Sequence, residues 1–222
     1  MLTDARMRLI SESVREGVTV CDVGTDHAHI PIELIKSGKA KRCIITDISA
    51  PSLEKGVRNA RDAGCIDKIS PYCANGTLGV PLDGQTDFII AGMGGELISE
   101  IIAQDKRLRS GEYRFVLQPM SKAEVLREFL AENGFKMTEE KKVESAGRVY
   151  AVILCRFTDE KITLTEREKY LGVSHSASDP LALEYARRTV SSLKTRLTGL
   201  MNAEDKDEKE IEALKKKIEL LK

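Results

Sequence analysis

Neither sign of charge dominates this chain: 35 basic and 35 acidic side chains cancel over 222 residues. A global positive field of the kind that advertises a nucleic-acid partner is thereby excluded, although a local patch is not. Long apolar runs are missing as well. None approaches the roughly 20 residues needed to span a bilayer, and the start Met1-Leu2-Thr3-Asp4 lacks the charged-then-apolar form of a signal peptide. A cytoplasmic protein with no membrane association is the expectation. Five cysteines (21, 43, 65, 73 and 155) include no C-x-x-C pair. Without metal-ligand spacing they read as reduced packing residues, and no metal is expected. Histidine is scarce too: of three in the chain, His27 and His29 share one turn.

What is present is a regular alternation. A first helix carries Met7, Ile10 and Val14 at helical spacing and closes at Gly17; strands follow at 18–23, 42–47, 69–73, 86–91 and 114–118. Helices at 28–37, 50–63, 96–104 and 122–133 separate them, several stopped by glycine. Short β-branched runs alternating with such helices predict a mostly parallel sheet covered on both faces. After Gly134 the rhythm changes. Segments 135–144 and 148–157 succeed each other around Ser145-Ala146-Gly147, which predicts a hairpin. Beyond Thr158 the composition turns charged and helical. Leu183, Ala186, Val190, Leu193, Leu197 and Leu200 recur three and four apart, and Ile211, Leu214, Ile218 and Leu221 repeat the pattern. The polar gap 202–210 between them leaves an antiparallel hairpin or one long helix, with the hairpin expected.

The candidate chemistry gathers at the ends of the predicted strands. Val20-Cys21-Asp22-Val23-Gly24-Thr25-Asp26-His27-Ala28-His29-Ile30-Pro31 reads as strand, tight acidic turn and helix start. Against the dinucleotide pattern G-x-G-x-x-G, Asp26 and His29 replace glycines. Against the looser acidic-x-G-x-G-x-G of S-adenosylmethionine (SAM) enzymes, Asp22 and Gly24 fit while Asp26 and Ala28 depart. The terminal hairpin also favours SAM as cofactor. Asp47, a little over twenty residues on, is either a ribose-binding carboxylate or a helix cap. Asn75 and Gly76 either meet the cofactor's adenine or form an ordinary turn. Gly92-Met93-Gly94-Gly95 is a backbone-lined slot for a flat base or merely a close strand-to-helix turn. The Asn/Asp-Pro-Pro-aromatic tetrad common in enzymes that methylate exocyclic amines is absent, which disfavours N6 chemistry. Gln118 and Pro119 end the fifth strand on the same rim, and Gln118 can donate and accept as base recognition needs. Arg148 and Tyr150 either edge that pocket or are ordinary strand residues.

Taken together, Asp22–Pro31, Asp47, Gly92–Gly95, Gln118-Pro119-Met120 and Gly147-Arg148-Val149-Tyr150 resemble the bacterial tRNA adenine-N1 methyltransferases that act at position 22, in the D-arm. The resemblance covers nearly all of residues 1–157; Asn75-Gly76-Thr77 departs from the Asp-Gly-Leu form expected in that family. It implies a Rossmann-like class I methyltransferase fold: a seven-stranded sheet with an antiparallel C-terminal hairpin over 1–157, and a helical coiled-coil domain over 158–222. It further implies SAM as cofactor, tRNA as partner and N1 of adenine as acceptor. Under it, Asp22, Gly24, Asp47, Asn75, Gly76 and Gly92 hold the cofactor, and Met93, Gly94, Gln118, Pro119, Arg148 and Tyr150 the acceptor. Asp26 and His27 are the catalytic candidates, Asp26 acting on the adenine, or else capping a helix or touching the methionine amino group. Arg187 and Arg188 belong to a modest cationic stripe at 184–196 that either grips tRNA phosphates or is a solvated helix flank. Monomer and homodimer both remain open.

Overall fold

The computed structural model describes residues 2–82, 84–176, 178–203 and 205–221. Seven strands, β1 (Val18–Val23), β2 (Ala40–Asp47), β3 (Ile69–Cys73), β4 (Thr86–Gly94), β5 (Arg114–Ser121), β6 (Phe135–Ser145) and β7 (Arg148–Phe157), form one sheet in the order β3-β2-β1-β4-β5-β7-β6. The first five run parallel; β7 is antiparallel to both β5 and β6. This is the expected mostly parallel sheet with antiparallel C-terminal strands.

Burial on both faces explains why the strands read as continuous apolar runs. Phe88, Ile90, Phe115, Leu117 and Ile153 point to one side, where α4 (Gly95–Gln104) and α5 (Ala123–Glu132) supply Ile98, Ile102, Leu126 and Leu130. Val20, Ile89, Val116 and Leu154 point to the other. There α1 (Ala5–Ser13), α2 (His29–Lys36) and α3 (Ala50–Asp62) contribute Ile10, Leu34 and Leu53. Cys21, Cys43 and Cys155 are core residues whose thiols burial pushes up in pKa, while Cys73 is exposed. The β6–β7 turn has positive φ at both Ala146 (49°) and Gly147 (70°), the backbone of a two-residue hairpin turn that follows the sheet twist.

Two boundaries differ from the sequence reading in a way that shapes the site. β4 continues to Gly94 and β5 to Ser121, because Met93 and Gly94 still pair with Pro119 and Ser121 after register shifts. α4 then starts at once on Gly95. A side chain there would meet the Lys122 carbonyl oxygen at 2.2 Å, so the glycine permits close approach of the two loops.

After β7 the chain folds over the end of α5, where the Thr158 N–H donates to the Gly134 carbonyl (2.9 Å) and the Ile162 N–H to the Ala131 carbonyl (3.0 Å). Leu164 packs into the core and Thr165 opens α6 (Glu166–Leu171) with a capping box to Glu168. Asp179 then caps α7 (Pro180–Asn202), and the chain reverses into α8 (Glu208–Leu220). Leu193, Leu214, Ile218 and Leu221 close on Leu171 of α6, and Arg196 pairs with Glu210 across the turn. The arm is thus a helical hairpin, held against α6 by a small three-helix cluster. A buried ion cluster anchors it. The fully buried Arg127 of α5 makes two hydrogen bonds to Glu140 of β6 (3.0 and 2.8 Å), and others to the carbonyls of Lys169 and Tyr170 and to the Tyr185 hydroxyl.

Candidate active site

β1 delivers Asp22 toward the carboxyl end of the sheet, where Gly24 turns the chain at φ +77°. The N–H groups of Gly24 and Thr25 donate to the Thr46 carbonyl (2.7 and 2.9 Å), which ties the turn to β2. Asp22 is buried, and burial pushes its carboxyl up to about 6 against a hydrogen bond from the Thr25 side chain. Space above Gly24 is taken: a Cβ there would lie 1.9 Å from Met93 Cε. The Met93 side chain therefore packs over the glycine turn and links β4 to it.

Asp47 sits at the end of β2, half-buried, with Oδ1 accepting from the Ser49 N–H at 2.7 Å. The helix cap of α3 is Ser49 and not Asp47. Next to it Ile48 is 73% exposed, the most exposed large apolar side chain among the described residues. The Asp47 carbonyl accepts from the Ala74 N–H (3.0 Å) and the Thr46 hydroxyl donates to the Gly76 carbonyl (2.9 Å). These bonds bring the turn at Asn75 and Gly76 beside Asp47. Asn75 itself exchanges hydrogen bonds with Gln104 of α4 (3.4 and 3.3 Å).

Asp26 is exposed on the outer side of the first turn. It accepts from Lys55 of α3 at 3.3 Å and lies 3.1 Å from His27 Nε2; the Lys55 hydrogen bond leads in holding its carboxyl below the usual range. His27 stacks on His29 at 5.3 Å between ring centroids. The helix-capping alternative for Asp26 is not observed: the residue at the cap of α2 is Ala28, at φ 55°, with no side-chain cap. Asp22, Gly24, Asp26, His27 and Gly92 share one pocket of about 300 Å³, which Arg6 and Met7 of α1 also line.

On the rim formed by β4 and β5, Gly92 turns at φ +80° and its N–H donates to Gln118 Oε1 at 3.2 Å. Gln118 is fully buried. Its oxygen also accepts from Arg6 Nη1 (2.7 Å), and its nitrogen donates to the Pro119 carbonyl (2.9 Å). The amide expected to face a base is engaged inside the protein at both ends. A second cleft of about 580 Å³ opens beyond Pro119 and Met120, between the β6–β7 hairpin and α7. Arg148, Tyr150, Arg188 and Arg196 line it. Arg187 lies outside this lining; it and Arg188 both pair with Glu184, and Arg188 also donates to the Gly147 carbonyl at 2.5 Å. One acid thus offsets two of the stripe's cations.

A family model described as a methyltransferase domain matches residues 3–153. The tRNA (adenine(22)-N(1))-methyltransferase of Bacillus subtilis (strain 168) is 31% identical over 173 residues, spanning 78% of this chain and 70% of the relative. The chain belongs to this family. Solved members superpose along nearly the whole length of this adenine-22 methyltransferase. The B. subtilis m1A22 tRNA methyltransferase does so at a TM-score of 0.87 with 23% identity, covering 99% of this chain and 97% of that one. A Streptococcus pneumoniae protein provisionally assigned as a tRNA (m1A22) methyltransferase, solved with S-adenosyl-L-methionine, matches at a TM-score of 0.83 and 26% identity, covering 97% and 96%.

Sequence reading of this family member missed Arg6, Thr25, Ile48 and Lys55. Arg6 lies in a helix far from any strand end, so no spacing singles it out. Ile48 carried a usable signal, being an apolar residue directly after a strand-ending acid. Among the described residues no helix is long and apolar enough to cross a membrane, and no group of three or more His, Cys, Asp or Glu is placed to hold a metal.

Proposed function

We propose that this chain transfers the methyl group of SAM to N1 of the adenine at position 22 of tRNA. The observation that carries the reading is the match to the B. subtilis enzyme over 78% of a chain that carries both the acidic glycine turn and the Gly92–Gly95 slot. The cradle suits the cofactor: a positive-φ glycine beside a buried acid, a second acid one strand away and a turn beyond it. Asp22 and Gly24 would hold the methionine end, Asp47 the ribose hydroxyls, and Asn75 and Gly76 the adenine, with Ile48 covering its face. Bound SAM supplies an electrophilic methyl on a sulfonium.

N1 of adenine has a free lone pair at neutral pH, so no strong base is required. The protein's work is alignment, exclusion of water and accommodation of the positive charge that moves onto the base. Gly92, Met93 and Gly94, with Pro119, form the wall against which the base would lie. Asp26, with His27 beside it, is the exposed carboxylate proposed to favour that charge. Extraction of a paired and stacked base costs a few kcal/mol. Residues 1–157 are taken as the methyltransferase domain and 158–222 as the tRNA-gripping arm. The heptad spacing in α7 and α8 supports a coiled-coil description of the arm, with Arg187 and Arg188 as its phosphate contacts, while Arg148 of β7 would meet the tRNA at the edge of the acceptor pocket. A tRNA substrate and reduced cysteines fit the cytoplasm.

The test is incubation with labelled SAM and unmodified tRNA, followed by mass-spectrometric mapping. One methyl on N1 at position 22, lost when that adenine is replaced by guanine, is the expected result. Product on N6, or product independent of position 22, refutes the reading.

A further inference from the structure

The Gln118 carboxamide is buried beside the slot, and its partners come from α1, β4 and its own strand β5. Its oxygen receives the Gly92 N–H from the end of β4 and the Arg6 guanidinium from α1. Its nitrogen is held by the next carbonyl of its own strand, with Met120 Sδ at 3.6 Å. Arg6 in turn stands 5.7 Å from the Tyr150 ring centroid on β7 and 3.5 Å from Met120 Sδ. Its helix is locked from below. Asp4 caps α1 and accepts from Ser145 Oγ at the end of β6 at 2.9 Å. Helix α1, β4, β5 and the hairpin are joined through these two side chains at the slot.

The slot needs such a brace. Gly92 is at φ +80° and the β4–β5 register shifts on both sides of Met93, so regular ladder bonds do not fix the peptide there. The Gln118 oxygen that holds this N–H is buried and also takes the charged Arg6 donor, and a hydrogen bond to a charged group is worth more than an ordinary one, which gives Gln118 leverage over this turn. We infer that Gln118 and Arg6 are positioning residues: they set the shape of the Gly92–Gly94 slot and do not read the base. The inference rests on the assignment of that slot to the acceptor adenine.

The experiment compares single-turnover methyl transfer, SAM and tRNA dissociation constants and melting temperature for Gln118→Met, Gln118→Glu and Arg6→Met. Glutamate keeps both acceptor contacts and gains an ion pair with Arg6, but loses the amide donor and turns an oxygen toward the Pro119 carbonyl. Gln118→Met should slow transfer between about tenfold and a hundredfold, the cost of a small misalignment, with tRNA affinity within about twofold of wild type. Gln118→Glu should recover part of that rate, the contact to the Pro119 carbonyl being lost. Arg6→Met, which leaves Gln118 in place, should reproduce the Gln118→Met defect and is the deciding variant if Gln118→Met does not fold. A wild-type rate in Gln118→Met, or in Arg6→Met where Gln118→Met does not fold, overturns the inference, as does a Gln118→Glu enzyme no faster than Gln118→Met. Failure of the underlying assignment looks different: wild-type protein then places no methyl on the adenine at position 22.

Discussion

Replacing Arg127 by methionine isolates the joint between the catalytic domain and the arm. The guanidinium is wholly buried, and the Glu140 carboxylate it meets is 1% exposed. Burial alone would raise the Glu140 pKa, and the charges of Arg127 and Lys142 outweigh it and hold the carboxyl down. Methionine removes two bonds to that carboxylate, two to the Lys169 and Tyr170 carbonyls and one to Tyr185, while Lys142 remains as the only paired cation. Breaking a buried pair from one side costs 3–5 kcal/mol; with one cation kept, the low end applies, about 3 kcal/mol. For a chain of this size that is a fall in Tm of about 6–12 °C. Thermal unfolding followed by circular dichroism measures the Tm, and urea unfolding the free energy. Combined with Glu140→Gln, the loss should be less than the sum of the single changes by about 1–3 kcal/mol, because both residues serve one network. SAM affinity at 20 °C should hold while tRNA affinity falls, since the carbonyls released belong to α6, where the arm begins. A Tm shift under about 2 °C, or strictly additive losses, refutes the reasoning.

Asp22 keeps its proton to about pH 6 in the folded chain, against an ordinary value of 3.8, so the folded chain binds more protons in that interval and this residue's contribution to stability falls as pH rises through it. Under the proposed role its ionised form would hold the methionine end of the cofactor, so SAM affinity by calorimetry should weaken below about pH 6, and Asp22→Asn should remove the pH dependence. Gly24→Ala forces φ +77° on a side chain that collides with Met93; SAM binding should be lost and stability lowered by about 1–3 kcal/mol, with intact binding as the contrary result. Ile48→Asp should weaken SAM binding about tenfold without a change in Tm, given the value of covering one aliphatic side chain. Arg148→Glu should weaken tRNA binding for all sequences alike and reduce the slope of log affinity against log salt, and an unchanged slope argues against a phosphate contact.

The sheet was legible because its strands are buried on two faces and its helices end in glycine. Gly17, Gly38, Gly64 and Gly134 all adopt positive φ where the pattern placed a stop. The acids at strand ends were legible for the same reason: an apolar run broken by Asp22 or Asp47 marks the carboxyl edge of a parallel sheet. Long-range polar pairing was not. Gln118 resembles a free rim residue until Arg6, 112 positions earlier, is seen to occupy it. Arg187 and Arg188 read as a cationic stripe until Glu184 is found to bind both. The extension of β4 to Gly94 was hidden because glycines read as a loop, whereas its pairing partner β5 carries the strand onward. The helical hairpin was the clearest feature after β7, since a polar gap between two apolar stripes has few other solutions.

The strand order has a kinetic consequence. Gly24, Asp47 and Asn75 belong to the β3-β2-β1 half of the sheet, whereas the arm is fastened to β6, β7 and α5 at the other end, with only the slot at β4 and β5 between. On the proposed assignments of cofactor cradle and arm, cofactor and RNA would approach from opposite flanks, neither blocking the other's entrance. Such a layout favours random-order binding. The demethylated cofactor product should then compete with SAM without competing with tRNA, and turnover can proceed by exchange of spent cofactor while the enzyme still holds the RNA.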